Sequence, residues 1–277
     1  MSLNLLGNNV YLSYEFLYRD VSNEDFNLSA LTKMLRNIGK TVDVVKDIFE
    51  KTYNKHDYIQ LLSVDIRKLS SKLDAYNYTD LSEIKIFKPL GMKGTYNDLL
   101  TNVETVQEDL IRIEERVFNP YLLWSGEVLN SPEKISRITI NRKIDFLNVK
   151  KSNELLDKNF SESDTGDVSR FDDAFESNHM MIDVAKKLNS LIEIQNTLPP
   201  KVIMKKLETI NERSESLIRL CKTQKDNIMC SRESRKVMAD VFYDIGMELT
   251  LYGRLSYILM STQTAMEDSI DKLLAMH

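Results

Sequence analysis

The chain has 277 residues, of which 42% are hydrophobic and 29% are charged, and these proportions fit a globular protein and exclude an intrinsically disordered one. The net charge of −5 argues against a general nucleic-acid binder, which carries a strong positive balance. Because only 8 glycines and 5 prolines are present, few turns can be built and long helices are expected.

The N-terminal residues 1 to 26 carry a dense aromatic patch. Its members are Tyr11, Tyr14, Phe16 and Tyr18. Two interpretations stay open: the patch packs on the core of its own domain, or it forms an arm that docks on a neighbouring subunit, because large rings are favoured at interfaces. We take these four aromatic residues as candidate interaction residues.

Residues 35 to 45 contain Gly39-Lys40-Thr41, which matches the end of a phosphate-binding loop. Such a loop also needs a glycine five residues before the Gly-Lys pair, and Met34 stands there. Apolar residues instead recur at alternating steps of three and four through the tripeptide, which predicts a helix with a narrow apolar seam. The seam consists of Leu28, Leu31, Leu35, Ile38, Val42, Val45 and Phe49. No nucleotide site is therefore predicted here.

Residues 27 to 160 are expected to form an N-terminal helical region. A second seam predicts a helix after Asp57 that pairs with the first as an antiparallel hairpin. A third seam follows Thr95 and Asp98, which resemble a capping box, and is expected to end at Asn119-Pro120. The second seam holds Ile59, Leu62, Ile66, Leu69, Leu73 and Tyr76, and the third holds Leu99, Val103, Val106, Leu110, Ile113 and Val117.

The stretch from about 135 to 150 is ambiguous between a small β-hairpin and a helix. Its alternating apolar residues fit a strand, whereas the basic residues between Lys134 and Lys151 could equally decorate a helix. The same basic stretch supports an alternative function in which the protein associates with nucleic acid.

Residues 161 to 170 are predicted to be an acidic linker, followed by a C-terminal helical bundle over 171 to 277. An EF-hand alignment on Gly166 would offer only weak serine and threonine ligands at the first positions. Pro199-Pro200 should stop one helix, and about residues 232 to 275 should form a single long one. Gly246 and Gly253 lie seven residues apart in that helix, where they would let a partner helix approach closely, so both are candidate interaction residues.

Side chains with catalytic or ligating chemistry are sparse. The three histidines, His56, His179 and His277, are not paired with another histidine or a cysteine at ligand spacing, and no nucleophile, zinc or dinucleotide motif occurs. No catalytic residue, cofactor or metal site is predicted. A membrane span is not expected either, since no run of 18 apolar residues exists.

Taken together, these patterns predict an all-α protein, an elongated helical bundle with coiled-coil-like hairpins. We expect a non-enzymatic structural or assembly subunit that binds other protein subunits, as a homo-oligomer or within a large assembly. In general character the sequence resembles the helical virion proteins of large tailed bacteriophages, which implies a virion location; otherwise we expect a cytoplasmic one. A regulatory adaptor that binds one partner protein is the other alternative.

Overall fold

A computed structural model describes residues 58–131, 148–160, 168–198, 200–223 and 232–276, and single helical residues between 36 and 50. Of the described residues 77% are helical, and one small antiparallel sheet is present. The prediction of a mostly helical protein is therefore confirmed. The elongated bundle and the coiled-coil-like hairpins stay predictions.

Most helices are joined by short connections. The elements are α1 (Ile66–Asp74), α2 (Tyr78–Ser82), β1 (Lys85–Phe87), α3 (Tyr96–Leu110), a π-helix (Glu114–Phe118), α4 (Asn119–Asn130), α5 (Val149–Asn159), β2 (Val168–Arg170), α6 (Phe171–Ala174), α7 (Met180–Asn196), α8 (Pro200–Thr223) and α9 (Arg232–Ala275).

The chain divides into two compact units, each assembled from three stretches of sequence. The first unit takes its described residues from 1–54, 109–149 and 200–254, and the second takes them from 55–108, 150–199 and 255–277. Both units are thus discontinuous along the chain. The domain boundaries derived from the sequence stay predictions, although the last three residues of the expected linker, 168–170, form β2.

The sheet lies away from the stretch for which a hairpin was considered. β1 pairs antiparallel with β2, with Lys85 opposite Arg170 and Phe87 opposite Val168. Of the ambiguous stretch 135 to 150, residues 135–147 lie outside the described residues, and Val149 begins α5. The strands in the second unit were not predicted, because three-residue strands are too short to show a period.

The helix that was predicted to follow Asp57 instead follows Asp65, eight residues further along the chain. The first half of this prediction is therefore wrong. Residues 59–65 have no helical structure. Asp65 is the N-cap of α1, because its Oδ1 accepts hydrogen bonds from the backbone N–H groups of Arg67 and Lys68 at 3.0 and 3.1 Å. The second half of the seam is helical, with Leu69 and Leu73 buried.

The third seam is confirmed, and all six of its residues are buried. The first of the two capping-box bonds is confirmed: Thr95 Oγ1 accepts a hydrogen bond from the N–H of Asp98 at 3.2 Å. The Asp98 carboxylate accepts from the Thr95 hydroxyl at 2.9 Å, whereas a full capping box has it accept from the backbone N–H. A boundary is present at Asn119-Pro120, as expected: the π-helix ends at Phe118 and α4 begins at Asn119, with the proline in its first turn, where no N–H is needed. The backbone stays helical across this boundary, because Phe118 and Asn119 both have helical dihedral angles.

Two of the C-terminal predictions are confirmed. α7 ends at Asn196, ahead of Pro199-Pro200, and α9 is one helix of 44 residues. Gly39 and Lys40 are helical. A Cβ at Gly39 would lie 2.8 Å from Oδ1 of Asn211 on α8, so this glycine sits where two elements of the first unit approach each other closely.

Candidate interaction surface

The residues predicted to mediate interactions are only partly described. Tyr11, Tyr14, Phe16 and Tyr18 lie outside the described residues. Gly246 and Gly253 both lie in α9, and Gly253 is buried within the chain. Their roles stay predictions.

A different surface is built around residues 58–65, which we call the clamped segment. The Asn196 side chain binds both backbone groups of Ile59: its Oδ1 accepts from the N–H at 2.9 Å and its Nδ2 donates to the carbonyl at 2.9 Å. Asn189 binds Leu62 in the same way, at 2.8 and 3.2 Å. We call Asn189 and Asn196 the amide clamps. Each clamp satisfies one donor and one acceptor of the main chain.

The spacing of the amide clamps requires an extended peptide. Asn189 and Asn196 are seven residues apart on α7, which is about 10 Å along a helix axis. Ile59 and Leu62 are three residues apart, and three residues cover about 10 Å only when the chain is extended; in a helix they would cover about 4.5 Å. The segment therefore runs antiparallel to α7, with Ile59 beside Asn196 and Leu62 beside Asn189.

Two side chains of the clamped segment, three residues apart, are buried, and the side chains between and beside them are exposed. Ile59 and Leu62, whose backbones are held, are 3% and 5% exposed, whereas Tyr58 and Leu61 are 54% and 42% exposed. The clamps thus present large apolar side chains to solvent on a segment whose main chain is fixed. Exposed apolar groups held in this way favour a role in recognition.

A carboxylate on α9 also holds the segment. Glu267 accepts a hydrogen bond from the backbone N–H of Ser63. Partial burial raises the pKa of Glu267, and the negative charges of Asp271 and Asp268 act in the same direction, whereas the hydrogen bonds from Gln263 and Ser63 lower it. The net result is a pKa above the ordinary value, which means that this carboxylate is held in an environment that disfavours its charge.

The helix that carries the amide clamps is itself fixed by a buried network of neutral groups. Gln107 on α3 donates to the Leu191 carbonyl at 2.8 Å and to Gln195 Oε1 at 2.9 Å. Gln195 in turn donates to Ser256 on α9 at 3.0 Å. These three residues are at most 4% exposed. Such a network costs free energy if it is broken, so it fixes the rotation of α7 about its axis.

The same kind of contact holds β1. Ser269 Oγ on α9 accepts from the N–H of Phe87 at 2.9 Å and lies 3.0 Å from its carbonyl. Tyr96 donates to that carbonyl at 2.7 Å, and burial raises the pKa of its hydroxyl far above the ordinary value. In the second unit, polar side chains therefore repeatedly bind the main chain of neighbouring segments.

The first unit has a charged pair in its polar interior, in addition to neutral groups. Glu248 on α9 is fully buried, and its carboxylate lies 4.0 Å from the guanidinium of Arg116, which is 11% exposed. Arg116 belongs to the π-helix and also donates to the carbonyl of Asp109 at 2.8 Å. Nearby, Lys206 on α8 forms an ion pair with Glu114 and a hydrogen bond with Asn119. π-helices often occur at functional sites, but the pair here is enclosed.

The sequence contains a signal for the amide clamps that the seam pattern does not use. Asparagine is disfavoured inside helices because its side chain competes for backbone bonds. Asn189 and Asn196 nevertheless stand seven residues apart on one face of a predicted amphipathic helix. Together with an apolar pair at Ile59 and Leu62, this repeat could have indicated a main-chain clamp.

Within the part of the chain that is described, no three His, Cys, Asp or Glu side chains gather where they could hold a metal ion. No described helix is both long and apolar enough to span a bilayer. Comparison with protein-family models, curated proteins and solved structures finds no match.

Proposed function

We propose that the chain is a non-enzymatic structural or assembly subunit that binds other protein subunits, including copies of itself. The observation that supports this proposal is the clamped segment, which is rigidly held and presents Tyr58 and Leu61 to solvent. Tyrosine is among the residues enriched at interface hot spots, and burial of Leu61 beside it would remove further apolar surface from water.

The use of the polar side chains favours the same function. Asn189, Asn196 and Ser269 bind the main chain of other segments, and Gln107, Gln195 and Ser256 bind one another or the main chain. These groups hold segments in place and thus stiffen a surface. A tailed-phage virion is a setting in which a helical subunit of this kind works in many copies; a cytoplasmic assembly is the other setting.

The test is the mass of the protein in solution, measured by light scattering over a range of concentrations. We expect the wild-type chain to exceed the monomer mass of 32.2 kDa as concentration rises. The variant Tyr58→Ser/Leu61→Ser should weaken association about 10- to 100-fold. About half of each side chain is exposed, so burying the exposed half of each contributes about 0.7 to 1.5 kcal/mol.

Leu90→Ser is the matched control, since Leu90 is 53% exposed in the same unit but outside the clamped segment, and it should leave association unchanged. A wild-type chain that stays monomeric at every concentration would overturn self-association. Equal effects of Leu90→Ser and of the double variant would show that the clamped segment is not the contact.

A further inference from the structure

The pairing of β1 with β2 decides which backbone groups each strand turns outward. The N–H of Phe171 donates to the carbonyl of Ile84 at 2.9 Å, and in an antiparallel ladder the residue pairs that exchange hydrogen bonds alternate with pairs that do not. In this register Ile86 and Ser169 are therefore the pair that exchanges bonds. The residues on either side of them turn their N–H and carbonyl groups to the outer edges of the sheet.

The outer edge of β1 is closed by side chains of the same unit. Ser269 accepts from the N–H of Phe87 at 2.9 Å, and Tyr96 donates to the carbonyl of Phe87 at 2.7 Å. Lys272 donates to the carbonyl of Lys85 at 2.6 Å. Because Ser269 and Lys272 both belong to α9, this helix occupies the place that a further strand would take.

The outer edge of β2 is open. Its outward groups are the N–H and the carbonyl of Val168 and the N–H of Arg170, whereas the Arg170 carbonyl, at the N-cap of α6, starts that helix. Among the described residues, none forms a hydrogen bond with these three outward groups. The Val168 side chain is also 42% exposed. A strand edge with free donors and acceptors is a template on which an extended peptide can add as a further strand.

The surroundings of this edge carry an excess of negative charge. Three carboxylates lie 3.3 to 3.5 Å from the exposed guanidinium of Arg170 and belong to Glu83, Asp172 and Asp173. One positive and three negative charges sum to −2. Burial raises the pKa of Tyr78, and the negative charges of Asp172 and Glu176 raise it further. In the sequence, residues 161–167 before β2 add three acidic residues and no basic one.

We propose that the outer edge of β2 binds an extended segment of a partner protein that carries lysine or arginine side chains. The main chain of this segment pairs with Val168 and Arg170, and its cations meet the carboxylates around Arg170. Charged side chains at a strand edge discourage pairing with unrelated strands, and their sign selects the partner of opposite charge. A second copy of β2 is the poorer occupant, because it brings the same negative excess.

This site lies outside the clamped segment, so the inference goes beyond the proposed function and is tested separately. Val168→Pro removes the outward N–H of β2 and leaves the bonds between Ile86 and Ser169 in place, since proline is tolerated at a strand edge where its nitrogen faces away from the ladder. Val168→Ala is the matched control, because it shortens the side chain and keeps the N–H.

The probe is a blocked heptapeptide of alternating lysine and valine, added to the full chain and followed by heteronuclear NMR and calorimetry. The amides of Val168 and Arg170 should shift and exchange with solvent more slowly, whereas the Ser169 amide, already bonded to β1, should keep its exchange rate. Val168→Pro should weaken binding about 5-fold through loss of one hydrogen bond, and Val168→Ala should bind more tightly than Val168→Pro.

The charge preference is tested with a second peptide and a second variant. The heptapeptide with glutamate in place of lysine should not bind. Glu83→Gln/Asp173→Asn removes two of the carboxylates and should weaken binding of the lysine peptide about 3-fold and reduce its salt dependence. Glu193→Gln, on the exposed face of α7, is the control and should leave binding unchanged.

Each outcome decides one part of the inference. Equal binding of the lysine and glutamate peptides overturns the choice of a basic partner. Equal binding to Val168→Pro and Val168→Ala overturns the edge of β2 as the site. If Val168→Pro also shifts the Ile86 amide, a lysine peptide N-methylated at its valines takes its place, and undiminished binding of that peptide to the wild-type chain overturns strand addition.

Light scattering separates this inference from the proposed function. Val168→Pro should self-associate as the wild-type chain does, and loss of association in this variant would show that a second copy occupies the edge instead. Failure of Tyr58→Ser/Leu61→Ser to weaken association would remove the contact assigned to the clamped segment while peptide binding at β2 stays as expected.

Discussion

The two units solve the same problem, how to hold polar groups inside a helical protein, with different chemistry. The first unit buries a charged pair, Arg116 with Glu248, beside the neutral pair of Tyr121 and Ser214. The second unit uses neutral amides and hydroxyls, chiefly the amide clamps and the Gln107, Gln195 and Ser256 network. A buried charge is costly when its partner is removed, whereas a neutral hydrogen bond is worth only about 1 kcal/mol net. The first unit should therefore be the more sensitive to single polar substitutions.

The largest effect is expected from Arg116→Met, which removes a positive charge beside the buried Glu248. Breaking a buried pair from one side costs about 3 kcal/mol or more, and we expect a loss of this size in the free energy of unfolding, measured with urea. Lys46→Met is the control, because Lys46 and Glu208 form a partly exposed pair at 3.3 Å that should contribute at most about 1 kcal/mol. Equal losses in the two variants would show that burial of the Arg116 pair has no energetic consequence.

The second effect concerns the amide clamps. Asn189→Ala/Asn196→Ala removes four hydrogen bonds, and at about 0.5 kcal/mol each for a partly exposed set we expect a loss of about 2 kcal/mol. Amide hydrogen exchange should be faster at Ile59 and Leu62, because the clamps accept hydrogen bonds from the N–H groups of these two residues. Glu193→Ala, on the exposed face of α7 between the clamps, should change neither measurement. Unchanged protection at Ile59 and Leu62 would mean that the clamps do not hold the segment in solution.

A smaller effect is expected at Gly39 in the first unit. Replacing a helical glycine with alanine normally stabilises by about 1 kcal/mol, but the new Cβ would meet Asn211 Oδ1 at 2.8 Å. Because the close atom is the end of a side chain that can move aside, we expect Gly39→Ala to raise the midpoint of thermal unfolding less in the wild-type chain than in an Asn211→Ala background. The double-mutant cycle measures this coupling directly. An equal effect in both backgrounds would contradict close approach at this position.

The smallest effect is a pH dependence from Glu267. Because its pKa is raised in the folded protein, the folded state binds the proton more tightly than the unfolded state in the window just above the ordinary value of 4.5. Stability should then fall as the pH rises through that window, and the penalty remains at neutral pH. Glu267→Gln should flatten the pH profile of the unfolding midpoint there. Glu193→Gln is the control, and a profile equally flattened by both changes would assign the effect elsewhere.

The sequence predicted those parts of the fold that depend on a local repeat. The seam from Leu99 to Val117, the capping box at Thr95 and the long helix α9 all depend on spacings of three and four or on neighbours three residues apart. The clamped segment could not be predicted in this way. The three-residue spacing of Ile59 and Leu62 fits a helix, and it fits equally an extended chain that is bound at every third residue. The decision between the two comes from Asn189 and Asn196, more than a hundred residues away.

The sequence predicted the type of site but not its location. Exposed apolar residues as an interaction surface were expected, but at the aromatic N-terminus, which lies outside the described residues. Tyr58 precedes the second seam, and Leu61 falls between its positions, so no periodic pattern marks either residue. Exposure of these side chains follows from which backbone groups the amide clamps bind, and that is a property of the tertiary structure.

The π-helix from Glu114 to Phe118 has a consequence for how the chain tolerates changes of length. At its end the N–H of Asn119 bonds to the carbonyl of Glu114, five residues back, so the turn contains one residue more than an α-turn. One residue corresponds to about 100° of rotation about a helix axis. The buried side of α4 contains Tyr121, Ser125 and Val128, and Tyr121 forms a hydrogen bond with Ser214 on α8 at 2.8 Å. Loss of a single residue between 114 and 118 would therefore turn this side of α4 away from α8. The extra residue sets the rotation of α4 about its axis. A deletion of one residue here should therefore lower the stability of the fold more than most substitutions at the same positions.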